Sequence, residues 1–451
     1  MQYLYTGTSS YPDRLTQHMI ITTDSQKNTY SSYHIAKAFF PNEEIETRIE
    51  ENGEDPRSLY LRLRKETGRD LPWGMLTGVR PTKLAMGKVK EQMPLEEFEH
   101  WFYENRFVSK EKADLAYEIA AKEEELIKRA GITTGEDSFS LYVNIPFCPT
   151  ICTYCSFPSG AIADYADVME EYLSCLFQEL AAVSDICEKK KLTSIYIGGG
   201  TPTTLTPSQL ERLLSKIQER FCTDGVEFTL EAGRPDTITK EKLQIAKAHG
   251  ISRISINPQS MQQKTLDVIG RRHSPQQIEE AFALAREEGF DNINMDVIMG
   301  LPGEDLVDVE DTLQKIGRMK PDSLTVHSLS IKRTSQIFSQ TTDAQTVEQM
   351  LEKAAAFARN VGMEPYYLYR QKGIAGNFEN TGWAVPGKEC LYNILIMEEI
   401  QSILAVGAGA STKRLQQTDV LQIKRSHNVS NIKEYLSRID EMIRRKQELF
   451  S

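Results

Sequence analysis

The sequence predicts an α/β fold built on a parallel sheet. Two observations carry this. Short apolar runs alternate with amphipathic stretches from about Phe139 to Ser330, and the unusual polar and glycine-rich sets fall at or near the ends of those runs. Consecutive strands separated by helices pair in parallel, because each return needs a right-handed crossover. An α+β segment precedes this core and a mainly helical region follows it, which divides the chain into 1–135, 136–330 and 331–451.

In the first region His18–Thr23 reads as a strand and Asp114–Ala130 as a charged helix. Between them Pro72-Trp-Gly-Met-Leu-Thr-Gly-Val-Arg-Pro-Thr-Lys83 is rich in turn formers. The core opens with Leu141-Tyr-Val-Asn-Ile145, an alternating run of the kind a short buried strand shows. After a cysteine loop comes a helical stretch from about Asp164 to Lys190, then the strand Ser194–Ile197. A helix opened by Thr206-Pro-Ser runs to about Arg220. The strand Val226–Leu230, the helix Lys240–His249 and the strand Ser252–Ile256 follow. The helix Pro275–Glu288 leads to the strand Asn292–Val297, and the helix Leu306–Met319 to the strand Ser323–Val326. Beyond Ser330 the chain returns to helix, Asp343–Val361, and then to a glycine-rich stretch, Gly373–Gly387. Chemistry in such folds gathers at the carboxyl ends of the strands.

Composition narrows the function. The chain has 451 residues, 40% of them hydrophobic, and a formal charge of -11, which argues against a nucleic-acid binder with its basic surface. No basic-then-apolar leader opens the chain at Met1. The most apolar stretch, 393–410, is interrupted by Glu398, Glu399 and Gln401, so no stable membrane insertion is expected. Seven cysteines, an odd number with Cys175, Cys187, Cys222 and Cys390 scattered, do not suggest a disulfide framework. A cytoplasmic location is the expectation.

The most informative residues are Cys148-Pro-Thr-Ile-Cys152-Thr-Tyr-Cys155. Three thiolates on one loop suit three irons of a cubic 4Fe–4S cluster and leave the fourth iron without a protein ligand. Electron-transfer clusters normally have four protein ligands, so three suggest an iron kept open for a substrate or cofactor. The alternatives are zinc and plain core cysteines. Zinc usually takes a fourth Cys or His nearby, and the next cysteine, Cys175, lies well down a predicted helix.

Gly198-Gly-Gly-Thr-Pro-Thr203 ends the second strand and reads either as a tight turn or as a seat for a ligand of the open iron. It lacks the lysine of a phosphate-binding loop. Glu231 closes the third strand, Gln259 follows the fourth, and Arg271 lies further on. Asp296 sits among apolar neighbours, Met295, Val297 and Ile298, where an unpaired carboxylate is costly.

These residues resemble the radical S-adenosylmethionine (SAM) superfamily. Within it, Tyr142-Val-Asn-Ile-Pro-Phe-Cys148, the triple glycine and Asp296–Pro302 are similar to the oxygen-independent coproporphyrinogen III oxidases and their relatives, the HemN, HemW and HemZ types. Trp73–Lys83, Tyr367-Leu-Tyr-Arg-Gln-Lys372 and Pro386–Asn393 resemble the HemZ type. The resemblance implies a partial (β/α)6 barrel with a 4Fe–4S cluster on Cys148, Cys152 and Cys155, whose open iron chelates SAM. Tyr142, Gly199 and Glu231 match positions that hold this SAM. Tyr154, Gly200, Thr201, Gln259, Arg271, Asp296 and Ser330 match positions around a second SAM, and Ala410 falls near a C-terminal backbone contact.

The activity implied is a reductive cleavage of SAM to a 5'-deoxyadenosyl radical, which takes hydrogen from a propionate of coproporphyrinogen III. Loss of carbon dioxide then leaves a vinyl group, a step of haem (porphyrin) biosynthesis, with a flavodoxin or ferredoxin as electron donor. One position departs: the oxidase type has a fourth cysteine two residues after the third, and this chain has Phe157. The HemW type, a haem-trafficking protein, also has an aromatic residue there, so haem binding without oxidase activity is the alternative. Lys332, Arg333, Arg370 and Lys372 are candidate partners for propionates, or else ordinary solvated charges. His327, at the end of the sixth strand, reads as a haem ligand, a proton donor or a hydrogen-bonded structural residue.

Overall fold

A computed structural model describes residues 18–41, 43–78, 80–330, 342–370, 378–416 and 421–451. The chain forms two compact units, one taking the chain up to Tyr117 together with Tyr369–Glu379, the other Glu118–Leu368 and Asn380–Ser451.

In the first unit β1 (His18–Thr23) pairs in parallel with β2 (Glu44–Ile49). The helix Gln26–Phe39 makes the crossover, and the helix Pro56–Thr67 packs with it around Ile21, Ile35, Phe39, Leu59 and Leu63. Asp55 accepts from the amides of Arg57 and Ser58 and so caps the second helix. The charged helix expected near 114–130 runs over Lys110–Arg129.

The second unit holds the remaining strands, apart from Tyr369, Arg370 and Glu379, which belong to the first. These are β3 (Ser138–Ile145), β4 (Phe147–Cys148), β5 (Gly160–Ala161), β6 (Lys191–Gly199), β7 (Glu227–Glu231), β8 (Arg253–Ser255), β9 (Ile293–Met299) and β10 (Ser323–Ser328). They are followed by β11 (Glu364–Arg370), β12 (Glu379–Ala384), β13 (Ser402–Val406), β14 (Ser411–Gln416) and β15 (Gln422–His427). One sheet runs in the order β11-β12-β10-β9-β8-β7-β6-β3-β13-β14-β15, and β4 pairs separately with β5. The six strands expected from sequence are β3, β6, β7, β8, β9 and β10, and neighbours among them pair in parallel throughout. Their helices are Met169–Ile186, Pro207–Arg220, Lys240–Ala248, Pro275–Glu287 and Leu306–Met319, with the short Gln263–Val268 added after β8. Thr206, Ser274 and Asp305 open three of them with reciprocal capping boxes. Strands such as β9 are buried on both faces, as a sheet covered by helices requires.

Among its described residues the C-terminal region carries four helices, Ala344–Asn360, Leu391–Glu398, Ile432–Ser437 and Ile439–Phe450, but also five strands that the sequence reading did not anticipate. β13 pairs in parallel with β3, and β14 and β15 extend that edge as an antiparallel hairpin. Among the described residues no helix is long and apolar enough to cross a membrane.

Candidate active site

The cysteine loop leaves the carboxyl end of β3 through Pro146, and its first thiol, Cys148, ends β4. Cys148, Cys152 and Cys155 are partly exposed, and all seven cysteines are free. The turn is closed by the Cys155 amide on the Cys152 carbonyl at 3.0 Å. The loop is gripped by the segment after β8: the Thr153 amide donates to Ile269 at 3.1 Å, and the Thr150 hydroxyl to Gly270 at 3.3 Å. Burial pushes the Cys148 and Cys155 thiols up, although the Thr201 hydrogen bond to Cys148 pulls the other way. A bound cation or cluster is what would draw such thiols to thiolate. Among the described residues no group of three or more His, Cys, Asp or Glu side chains is arranged to hold a metal ion. A cluster that takes one thiolate per iron does not need its ligands to converge on one ion.

The triple glycine is explained by this chain's own packing. Gly199 has φ +105°, and a Cβ there would stand 1.8 Å from Asn144 Oδ1. At Gly200 it would meet the Phe147 backbone at 2.6 Å, and at Gly198 the Glu231 carboxyl carbon at 2.8 Å. The turn thereby lies against the cysteine strand, where the Gly200 amide donates to Ile145 at 2.9 Å and the Thr201 amide to Phe147 at 2.7 Å. The Thr201 hydroxyl then donates to Cys148 Sγ at 3.5 Å.

Beside this turn the strand ends carry polar groups. Glu231 accepts from the Tyr196 hydroxyl at 2.6 Å. Burial pushes Glu231 up to about 7, against the Tyr196 hydrogen bond and with the repulsion of Asp296. Tyr142 stacks on Tyr196 and on Tyr392 with ring centroids 6.2 and 6.1 Å apart, and its hydroxyl donates to Asn144 Oδ1 at 3.1 Å. Asp296 accepts from Asn294 Nδ2 at 2.7 Å and faces His327 Nε2 at 3.7 Å. Burial alone would raise Asp296, but the His327, Asn294 and Thr325 contacts hold it below the usual carboxylate range. His327 on β10 thus stands across from a carboxylate in the middle of β9.

Gln259 combines left-handed backbone, φ 64°, with burial and a side-chain oxygen that has no hydrogen-bond partner among the described residues. Its amide and carbonyl are both spent on β9, donating to Asp296 and accepting from Ile298. Arg271 is 6% exposed, donates to the carbonyls of Gly233 and Asn257, and contacts Tyr154 and Cys152. Its Nε, and Asn257 Oδ1 beside it, also lack partners. Buried polar atoms are rarely left so, which makes this mouth the candidate place for a polar group from outside the chain. Tyr154 packs among Leu266, Ile269, Ile298 and Leu301.

Two candidates lie further out. Ser330 follows β10 by two residues, and Ala410, buried, closes the β13–β14 turn, where its carbonyl accepts from Asn428 at 2.9 Å. Lys332, Arg333 and Lys372 lie outside the described residues. Arg370 is 3% exposed and donates to the Leu76 carbonyl at 2.9 Å beside the Trp73 ring, so it is not a solvated charge. Sequence reasoning missed Asn144, Tyr196, Arg234 and His273. Only Arg234 had a readable signal, a charge three residues past Glu231 at a strand end. The others depend on which distant strand lies alongside.

A family model described as the Radical SAM superfamily matches residues 142–316. The chain is 39% identical over 406 residues to the oxygen-independent coproporphyrinogen-III oxidase-like protein HemZ of Bacillus subtilis, covering 87% of this chain and 80% of that protein. It is 30% identical over 315 residues to the heme chaperone HemW of the same organism, covering 67% and 76%. In fold it is similar to the coproporphyrinogen III oxidase HemN of Escherichia coli, with a TM-score of 0.56 and 22% identity over 71% of this chain and 73% of that one.

Proposed function

Since the chain belongs to the radical SAM superfamily, among the oxygen-independent coproporphyrinogen III oxidase-like proteins, we propose that it is an oxidoreductase that decarboxylates propionates of coproporphyrinogen III, or of a similar tetrapyrrole, to vinyl groups. The cofactors of the superfamily are a 4Fe–4S cluster and SAM. When bound, they supply an adenosyl radical that takes a hydrogen atom from the substrate. The observation that carries the reading is the cysteine loop seated at the carboxyl ends of six parallel strands, beside buried polar atoms that no group among the described residues satisfies.

In this reading Cys148, Cys152 and Cys155 hold the cluster. Glu231 and Tyr142 line the SAM seat beside the Gly199 turn, and Glu231 is oriented by Tyr196. Gln259, Arg271 and Asp296, with Tyr154, Gly200 and Thr201, surround the neighbouring space and give their unspent donors and acceptors to a polar cofactor or substrate. Ser330 and Ala410 close its rim. The barrel's apolar walls keep water from the reacting atoms, which a radical step requires. A flavodoxin- or ferredoxin-type protein would supply the electron for SAM cleavage, and the electron left when carbon dioxide departs from the substrate radical would pass to a one-electron acceptor.

A second reading, a haem-binding or haem-transfer protein, is favoured by one residue. Phe157, where the oxidase type has its fourth cysteine, is 68% exposed beside the loop. The experiment is an anaerobic assay of the reconstituted protein with dithionite, SAM and coproporphyrinogen III, read by mass spectrometry. Substrate-dependent 5'-deoxyadenosine together with loss of carbon dioxide supports the oxidase. Deoxyadenosine without decarboxylation, with a stoichiometric haem complex, supports the carrier.

A further inference from the structure

Arg234 lies in the turn after β7 and is 2% exposed. Its Nε and Nη2 donate to the two carboxylate oxygens of Asp236 at 3.0 and 2.9 Å. Its Nη1 donates to the carbonyl and hydroxyl oxygens of Thr150 at 3.3 and 3.1 Å. Thr150 stands between Cys148 and Cys152, and its hydroxyl reaches on to Gly270, one residue before Arg271. A two-point carboxylate pair fixes the plane of a guanidinium. The remaining nitrogen therefore holds the middle of the cysteine loop at a set place.

The electrostatics are one-sided. Arg234 and Arg271 are both buried against this loop, while Asp236 neutralises only the first of them. Nearby His273, 3% exposed with neither ring nitrogen partnered, adds no charge. Burial, joined by repulsion from both arginines, pushes it down to about 3. A thiolate-ligated cluster is anionic and gains a further negative charge on reduction. A buried cation beside it favours the reduced state, and at this depth salt screens the effect little.

We propose that Arg234 is a positioning residue for the cysteine loop, and that its charge, moderated by Asp236, raises the reduction potential of the cluster held there. This rests on the reading that Cys148, Cys152 and Cys155 carry that cluster. The test is a spectroscopically monitored redox titration of the reconstituted full chain, wild type against Arg234→Gln, Arg234→Lys and Asp236→Asn, with iron counted in each. The expected result is a lower potential in Arg234→Gln, a higher one in Asp236→Asn and a near-native one in Arg234→Lys. A staple without an electrostatic role would leave the potentials of intact clusters unchanged or move both charge variants the same way, and either outcome overturns the proposal. Should Arg234→Gln fail to assemble, Asp236→Asn decides alone: a potential at or below wild type rejects it. A wild type that holds no iron would reject the cluster reading itself, and that is visible before any potential is measured.

Discussion

Tyr196 on β6 donates a hydrogen bond of 2.6 Å to Glu231 at the end of neighbouring β7. Burial pushes this carboxyl from its ordinary 4.5 up to about 7, while the tyrosine contact restrains the rise. A carboxyl raised in the folded state contributes stability below its unfolded value and loses it as pH rises through the folded one. The folded chain should therefore lose stability between about pH 4.5 and 7 from this group. Glu231→Gln should flatten that slope. Tyr196→Phe should extend it to higher pH, because it removes a contact that favours the charged form. Melting curves across pH check both, and a slope unchanged in Glu231→Gln would refute the assignment.

Replacing any one of Cys148, Cys152 or Cys155 by alanine should abolish the visible absorption of the reconstituted protein and its cleavage of SAM together. Cys187→Ala should leave both intact, since its thiol back-bonds to its own helix at Val183 and Ser184. Cys175→Ala should do the same. Iron counts, absorption spectra and deoxyadenosine assays read the set. SAM cleavage by the triple variant would sink the cluster assignment.

The parallel core was legible because β3, β6, β7, β8, β9 and β10 are short apolar runs joined by helices with local capping signals, and, the separate β4–β5 pair aside, neighbours in sequence are neighbours in the sheet. The C-terminal strands were not. β12 begins Glu379-Asn-Thr, polar residues that the structure buries, so no apolar run announces it. β13 was read only as part of an apolar stretch, because pairing with a strand more than 250 residues earlier leaves no trace in local periodicity. The site divides in the same way. Cysteine spacing is local and was readable. Asn144, which receives Tyr142 and donates to the Ala408 carbonyl, acts across strands and was not.

The Gly199 turn should tolerate no side chain. Gly199→Ala combines positive φ with a Cβ that overlaps Asn144, and a loss of about 3 kcal/mol or more is expected. Gly225→Ala is the control: it has φ +71° but open space around the added carbon, so only the backbone term of about 1 kcal/mol should appear. Denaturant unfolding of the two variants separates the terms. Equal losses would mean that the turn is not pressed against β3.

Glu179 and Lys446 form a fully buried pair at 2.5 Å. The carboxylate also receives the Gly407 amide, the Asn428 amide group and the Tyr435 hydroxyl, each at 2.7 Å. Lys446→Met should cost about 3–5 kcal/mol, because it strands a buried carboxylate. Adding Glu179→Gln should recover part of that loss, as the amide oxygen still accepts from Gly407 and Tyr435 and no uncompensated charge remains, although the amide nitrogen then faces the Asn428 amide group. A double variant no more stable than the single one in denaturant would show that the pair's charge is not what the site requires.

Phe157 points the other way, toward solvent. At 68% exposure its replacement removes little buried surface, so Phe157→Cys should change stability by no more than about 0.5 kcal/mol. Three thiolates already suffice for a cluster with an open iron, so iron content and SAM cleavage should also stay at wild-type levels. The informative quantity is the product. Under the oxidase reading the wild type already decarboxylates, and restoring a cysteine should leave the ratio of carbon dioxide released to deoxyadenosine formed unchanged. If only Phe157→Cys decarboxylates, the cysteine belongs to the chemistry and the natural chain to the haem-binding class. The same pair of proteins, assayed side by side, therefore separates the two functions by one side chain.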